Sequence, residues 1–464
     1  MSAPVADQPD VLVLGAGLAG LAAAVRLAAE GASVKVVETS KRPGGRASSF
    51  EDAATGHLLD DGQHVVMGCC THMRDFLDRL GLNNAIEWHR SLYFSDPQGK
   101  LHSLTASRLP APFHLLPPFL RWGVLSWRQR FSVIHAMRQI AALDERQTRA
   151  LDTTAFGDWL RQHRQNTVTL QRFWQPIVVS ACNASIDAVS ARYAITVFQR
   201  GFLHSREGYQ LGVPRLPLRS LHEPACRYIE RSGGQVRFGE AVRSISATHQ
   251  GIETVISSKQ CYRPRFVISA LPATRLTRVI DDELAEHDAR FNQLDQFKYT
   301  PIVAVHLFLH CLEGEPLLRL PHVAMVDHPV DWLFNKGELR DKAARPLQHV
   351  HAVISAADQW IDAAQSRLTE LGLDALSRAI GKAVSNHLCQ ARVVKSHRAT
   401  FAAEVGVDAL RPSVRGATER LYLAGDWVDT DWPATMEGAV RSGEAAAAAA
   451  LADGAAGGVC RETQ

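Results

Sequence analysis

The chain has 464 residues, 46% hydrophobic and 21% charged, enough to bury a large core across more than one domain. Its formal net charge of +3 leaves no basic field for nucleic acid, no apolar run reaches the roughly 18 residues of a membrane span, and the polar opening Met1 to Asp10 is no secretory signal. The eight cysteines are scattered without a C-x-x-C pair, so a reducing cytoplasm is expected; Cys69 and Cys70 read as small core residues, and the 20 histidines show no metal-ligand cluster.

Along the chain, Val11 to Leu14 is an apolar run that reads as a buried parallel strand. Gly15 permits the tight turn after it, Gly17 lets backbone approach a pyrophosphate, and Gly20 lets the next helix pack close to the sheet. Leu18 and Ala19 complete the turn, and Leu21 to Glu30 is helical. That helix turns unpaired N–H groups and about half a positive charge toward phosphate. Ser33 to Val37 is a second strand, delivering Glu38 to ribose hydroxyls; an acid there favours a free 2′-hydroxyl. The segment Arg42-Pro-Gly44-Gly45-Arg46 follows. Its glycines let the loop fold back over the pyrophosphate, and Arg46 is a bidentate phosphate donor.

From 91 to about 212 the expectation is helical and amphipathic, with helical spacing in Ser132 to Leu143 and Thr154 to Leu160. Leu218 to Glu230 reads as helix, Gln235 to Phe238 and Ala241 to Ile245 as strands, and Phe266 to Ser269 returns to the core. This unit reads as a second piece of the dinucleotide domain, with Val242 near adenine. Between 275 and about 395, Ile302 to Leu309 and His349 to Ile354 read as strands and Arg367 to about Leu388 as helix. These form the floor of a substrate domain.

At the far end, strand Leu421 to Ala424 stops at Gly425 and Asp426, which is placed to accept ribityl hydroxyls. Asp429 and Asp431 lie in the next loop. Pro433 to Gly443 then opens an Ala-rich helix, Glu444 to Leu451. Its N-terminal approach, Met436, Gly438 and Ala439, would face the flavin pyrimidine edge, where reduced flavin is negative. The two Gly-rich ends together specify FAD, bound non-covalently, and bring the termini side by side. The expected fold is α/β: a split Rossmann-type FAD domain of the glutathione-reductase-like, amine oxidase type from residues 8–90, 213–274 and 396–453. An α+β substrate domain, 91–212 and 275–395, is inserted in it. The tail after Gly454 is expected to fray.

Several segments carry a resemblance. They are Asp61-Gly62-Gln63-His64-Val65, Phe173-Trp174-Gln175-Pro176-Ile177 running to Cys182-Asn183, Ser190-Ala191-Arg192, Pro214 to Leu221, Gly425-Asp426-Trp427 and Pro433 to Gly443. With them the chain resembles the amine oxidase and phytoene desaturase superfamily of flavoproteins. Within it the chain is most similar to the squalene-associated flavin desaturases that act as hydroxysqualene dehydroxylases. The resemblance spans nearly the whole chain and adds Gln63 and His64 to the cofactor-binding set. One departure is Asp61, where the family has Asn.

The resemblance implies that reduced flavin delivers hydride to hydroxysqualene, water leaves and squalene forms, in hopanoid synthesis. Such chemistry needs an acid, a dry pocket and walls that tolerate a cation, a task suited to aromatic faces. His64 is the first acid candidate, with Asp61 expected to raise its pKa. Asp61, Asp429 and Asp431 are the others, each a carboxyl that burial would raise. Three alternatives stay open: a carotenoid-type desaturase, an amine oxidase, for which Trp427 alone makes no aromatic cage, and a non-catalytic flavoprotein scaffold. No second GxGxxG follows a strand, so the electron donor is external and unassigned. The apolar, aromatic, Arg-edged stretch 109–131 suits either a membrane interface or a Pro-rich loop packed on its own domain. The first would make the protein peripheral on the inner face of the cytoplasmic membrane.

Overall fold

A five-stranded parallel sheet gathers strands from both ends and the middle of the chain. In the computed structural model, which describes residues 7–248, 251–311, 314–340 and 346–456, its order is Gln235–Phe238, Val34–Glu38, Val11–Leu14, Phe266–Ser269 and Leu421–Leu423. Val11–Leu14 sits at the centre, buried at every position, which is why it reads as an unbroken apolar run. Parallel neighbours need crossovers, and helices Leu18–Ala29 and Arg219–Arg231 lie against this sheet's core.

The last helix, Met436–Ala456, begins at Met436 rather than at Glu444 and packs along the first. The contact is backbone-close. A Cβ on Gly443 would lie 2.1 Å from the Ala19 carbonyl oxygen, and one on Gly20 would lie 1.9 Å from that of Gly15. Met1 to Ala6 and the chain after Ala456, including most of the tail expected to fray, lie outside the described residues.

A second sheet has seven strands, in the order Leu388–Phe401, Tyr299–His310, Pro346–Ile354, Trp332–Arg340, His322–Met325, Ser91–Ser95 and Leu101–Thr105. Val303, Val305, Leu307, Val350 and Ala352 pack under helix Gln365–Ile380. Strand alternation therefore turns His306, Phe308, His349 and His351 to the opposite face. Two expectations are corrected here. Residues 91 to 105 are a hairpin, pairing Ser91 with Thr105, and not helix. The helix expected to reach Leu388 stops at Ile380, where Gly381 adopts a φ of 74°, and Leu388 starts a strand that runs unbroken through the expected boundary at 396.

Helices Trp127–Ala142, Phe156–Gln162, Gln175–Cys182 and Ala191–Val197 form the helical part. Two of its turns, Leu170–Trp174 and Phe198–Leu203, widen to π geometry, a distortion frequent at functional sites. No helix among the described residues is long and apolar enough to cross a membrane.

Candidate active site

The Gly-rich turn is built to leave backbone open. Gly15 takes a φ of 103°, and Gly17 caps the first helix with no side chain and no acid in the first turn. A Cβ on Gly17 would meet no atom within 4 Å, so clear space lies before the helix N-terminus. The second loop folds onto this turn: Gly44 N–H donates to Ala16 O at 2.8 Å, and a Cβ on Gly45 would stand 3.4 Å from Gly17 Cα. Glu38 accepts from Ala16 N–H at 2.8 Å and Ser40 N–H at 2.7 Å, which fixes its carboxylate at the strand end.

Arg46 crosses to the other end of the chain and pairs with Asp426. Burial opposes its charge, but the Asp426 carboxylate outweighs burial and pushes the guanidinium up. Gly425 donates its N–H to Ser442 Oγ at 2.8 Å, and Gly438 and Ala439 donate theirs to Thr435, as the helix opens at Met436. Val242 is buried at the start of a separate three-stranded sheet. Gln63 donates to His64 O at 3.0 Å, while its Oε1 is buried without a partner. An uncapped helix N-terminus, open ground at Gly17, a guanidinium, a fixed carboxylate and an orphaned amide oxygen fit a dinucleotide.

Burial, the largest influence, depresses the His64 imidazole; Gly62 O and Asp60 oppose it, and Arg46 and Lys336 add to it. The neighbour that favours the charged ring is thus Asp60 and not Asp61, and the net direction is opposite to the expectation. His64 Nδ1 lies 3.1 Å from Gly62 O, so a neutral ring donates there and leaves Nε2 as an acceptor. Asp61 is different: burial pushes its carboxyl up, Arg42 at 3.7 Å pulls it down, and Asp60 adds to the rise. Asp429 and Asp431 face Arg149 and the buried Arg192, which also pairs with Asp408; Arg192 Nη2 reaches Asp431 at 2.8 Å. As partners of guanidinium groups both act as acceptors, and the pairs latch the loop.

Several residues escaped sequence reasoning. Lys336 reaches Asp60 at 3.2 Å, His306 Nδ1 lies 3.0 Å from His349 Nε2, and the His306 and His351 rings stack at 4.1 Å. Burial pushes His306 down to about 4, and burial, then His306, Lys336, His349 and His64, hold His351 well below the usual imidazole range. Lys336 thus adds to the depression of His64, His306 and His351 alike. Burial pushes Asp331 up to about 7, and its carboxylate accepts from Ser355 N–H at 2.6 Å. Glu437, fully buried, accepts from Met73 N–H at 2.8 Å and Arg441 Nε at 2.8 Å, so it caps helix Thr71–Arg79. Arg411 ties down the loop after Asp426, donating to the carbonyls of Asp426, Val428 and Trp432. A lone arginine in a loop carries no sequence signal for that role.

An apolar cavity of about 220 Å³ lies in the helical part, walled by Phe94, Phe119, Trp122, Phe173 and Phe202, with Arg138 its one charged lining residue. Phe113, Leu115 and Leu116 bring the 109–131 stretch into the same wall. Leu109, Phe113, Trp127 and Phe131 are nevertheless 44% to 60% exposed. Trp427 is buried, donates Nε1–H to Leu271 O at 3.1 Å and packs edge-on against Phe297, so it serves the core.

The family model for flavin containing amine oxidoreductases matches residues 18–451. The chain belongs to that family. As a member of it, the protein is a flavoenzyme, and its cofactor is FAD. Among relatives, the chain is 28% identical to hydroxysqualene dehydroxylase of Zymomonas mobilis, over 95% of this chain and 98% of that one. It is 25% identical to a probable zeta-carotene desaturase of Synechococcus elongatus, over 95% and 98%. Among solved structures, cyclohexylamine oxidase from Brevibacterium oxydans superposes with a TM-score of 0.67 at 21% identity, over 96% and 99% of the two chains, a likeness of fold.

Proposed function

We propose that this flavoenzyme reductively removes the hydroxyl of hydroxysqualene to form squalene. The observation that carries the reading is the hydrocarbon-lined cavity, supported by similarity to the Zymomonas mobilis relative over nearly the full length of both chains. A protonated amine would need a carboxylate to pair with its ammonium, and no carboxylate lines this cavity. Gly17, Gly44, Gly45 and the first turn of the first helix would hold the diphosphate of FAD. Glu38 would hold the ribose, Arg46 and Asp426 would be shared between phosphate and ribityl oxygens, and Gln63, His64 and Met436 to Ala439 would surround the flavin.

Bound there in its reduced form, FAD supplies hydride. The chain's own task is to ionise an allylic alcohol, which requires a proton at the leaving oxygen and exclusion of water from the cation. Asp61 becomes the first candidate donor, because burial raises its carboxyl toward the range where it keeps a proton. His64 Nε2, left free by the Gly62 contact, would accept and orient. Aromatic faces such as Phe119 and Phe173 would stabilise the cation. The exposed side chains of the 109–131 stretch would seat the protein on the inner face of the cytoplasmic membrane. At about 0.8 kcal/mol per buried CH₂, a triterpene alcohol stays in lipid unless handed directly to an apolar passage.

The competing reading is a carotenoid-type desaturase, favoured by the Synechococcus elongatus relative, in which hydride leaves a polyene for oxidised flavin. Anaerobic incubation separates them. Pre-reduced holoprotein should convert hydroxysqualene to squalene, and oxidised holoprotein should leave phytoene unchanged. Desaturated phytoene without any squalene would establish the competing reading.

A further inference from the structure

A second cavity, of about 1040 Å³, is lined by Arg74, Arg90, Arg200, Arg206, Arg441 and Trp432, and by none of the Gly-rich motif residues assigned to FAD. Its charge is unbalanced. Among the described residues no carboxylate lies within salt-bridge distance of Arg74, Arg90, Arg200 or Arg206; Arg441 has Glu437, 2.8 Å from its Nε. The one acid among the lining residues, Glu207, makes no ion pair there. Arg74 spends one N–H on Gly68 O at 3.2 Å, and Arg206 one on Ser107 O at 3.2 Å.

Two of the cations share one aromatic ring. Arg200 and Arg441 each lie 5.2 Å from the centre of the Trp432 ring. Burial, then the charge of Arg441, push the Arg200 guanidinium down, and the more distant Asp431 and Glu145 offset them only in part. A guanidinium disfavoured by burial and by a like charge is stabilised by an anion in the same wall. Trp432 is 6% exposed, and its buried indole N–H has no hydrogen-bond partner, a donor left over in the same wall. Arg200 stands in the π-distorted turn Phe198–Leu203.

We propose that this cavity binds a phosphate-bearing ligand through its guanidinium groups. Planar guanidinium forks match phosphate oxygens bidentately, and the volume exceeds what one phosphate fills. The phosphate has two sources: a soluble diphosphate such as a reduced nicotinamide dinucleotide, which would also serve as electron donor, or the phosphodiester of a phospholipid headgroup. The second source follows from Arg206 reaching Ser107 beside the exposed 109–131 stretch. The inference does not rest on the substrate proposed above.

The test is calorimetric titration of the FAD-replete protein with inorganic pyrophosphate and with NADPH, and co-sedimentation with anionic and zwitterionic phospholipid vesicles. Flavin absorbance and thermal midpoint report folding. Arg200→Gln and Arg74→Gln should each weaken binding of the winning probe by at least about tenfold. Arg90→Gln and Arg206→Gln, at exposed positions, keep the test open where Arg200→Gln does not fold. Arginine-dependent binding of pyrophosphate or NADPH assigns a soluble ligand, with tighter NADPH pointing to the dinucleotide. Arginine-dependent binding to anionic vesicles alone assigns the headgroup. Folded variants that bind every probe as the parent does, or a parent that binds none, overturn the proposal.

Discussion

Two glycines separate folding from cofactor binding. Gly443 is a spacer: a Cβ there would lie 2.1 Å from Ala19 O, 2.9 Å from Ala19 C and 3.1 Å from Ala23 N, all backbone of the facing helix. No rotamer relieves such a contact, so Gly443→Ala must part the two helices by about 1 Å in a close-packed interior. Overpacking of this kind costs about 1–3 kcal/mol, set against about 1 kcal/mol of helix propensity that Ala returns. A clash this short with fixed backbone lies at the upper end of that cost, so a net loss of about 2 kcal/mol is expected in the apoprotein. Gly17→Val is the converse. The residue has a φ of −75° and ψ of 176°, which any amino acid adopts, and its Cβ meets nothing in the chain. The apoprotein should unfold like the parent, while the side chain fills the space assigned to the diphosphate and FAD is lost. Apoprotein melting and flavin retained through gel filtration measure both. A yellow Gly17→Val protein, or a Gly443→Ala apoprotein as stable as the parent, would show that these glycines do something else.

Asp61→Asn should slow oxidation of pre-reduced holoprotein by hydroxysqualene by about 10²–10⁴-fold with FAD content intact, the usual cost of a lost general acid; a loss below tenfold moves the role to Asp331 or His64. The parent rate should fall as pH rises through the elevated Asp61 pKa, because only the protonated carboxyl donates. Phe113→Glu and Phe131→Glu should lower liposome co-sedimentation without shifting the melt, and unchanged sedimentation returns 109–131 to a loop packed on its own domain. His222, His306 and His322 are buried with pKa values pushed down to about 4, so the unfolded chain takes up protons first as pH falls below about 6.5. Each removes about 3 kcal/mol by pH 4, and urea midpoints should drop steeply between those pH values; a flat profile would mean the rings are solvated.

Local backbone demands were legible. Gly15, Gly17 and Gly20 follow from a turn, an open approach and a close helix, and each can be read without knowing the partner. So can the apolar run Val11–Leu14 at the centre of its sheet. What the chain does with distant partners was not legible. Asp429 and Asp431 stood out as acids, but Arg149 and Arg192, which make them a latch, lie far away in sequence. Glu437 sits in a recognisable flavin-edge motif, yet its carboxylate caps a helix at Thr71. Alternation puts His306, His349 and His351 on one face of a strand pair, but only the packing of that face against Asp60 and His64 makes it chemical. The hairpin at 91–105 was hidden because five-residue strands carry too little period to outweigh the helical spacing downstream.

The hydride's destination decides between the two reactions left standing. Holoprotein reduced under argon in heavy water, mixed with one equivalent of hydroxysqualene and quenched after a single turnover, should give squalene bearing one deuterium for each flavin oxidised. Flavin that stays reduced in the presence of the alcohol, with oxidised flavin instead reduced by phytoene, would contradict the dehydroxylase.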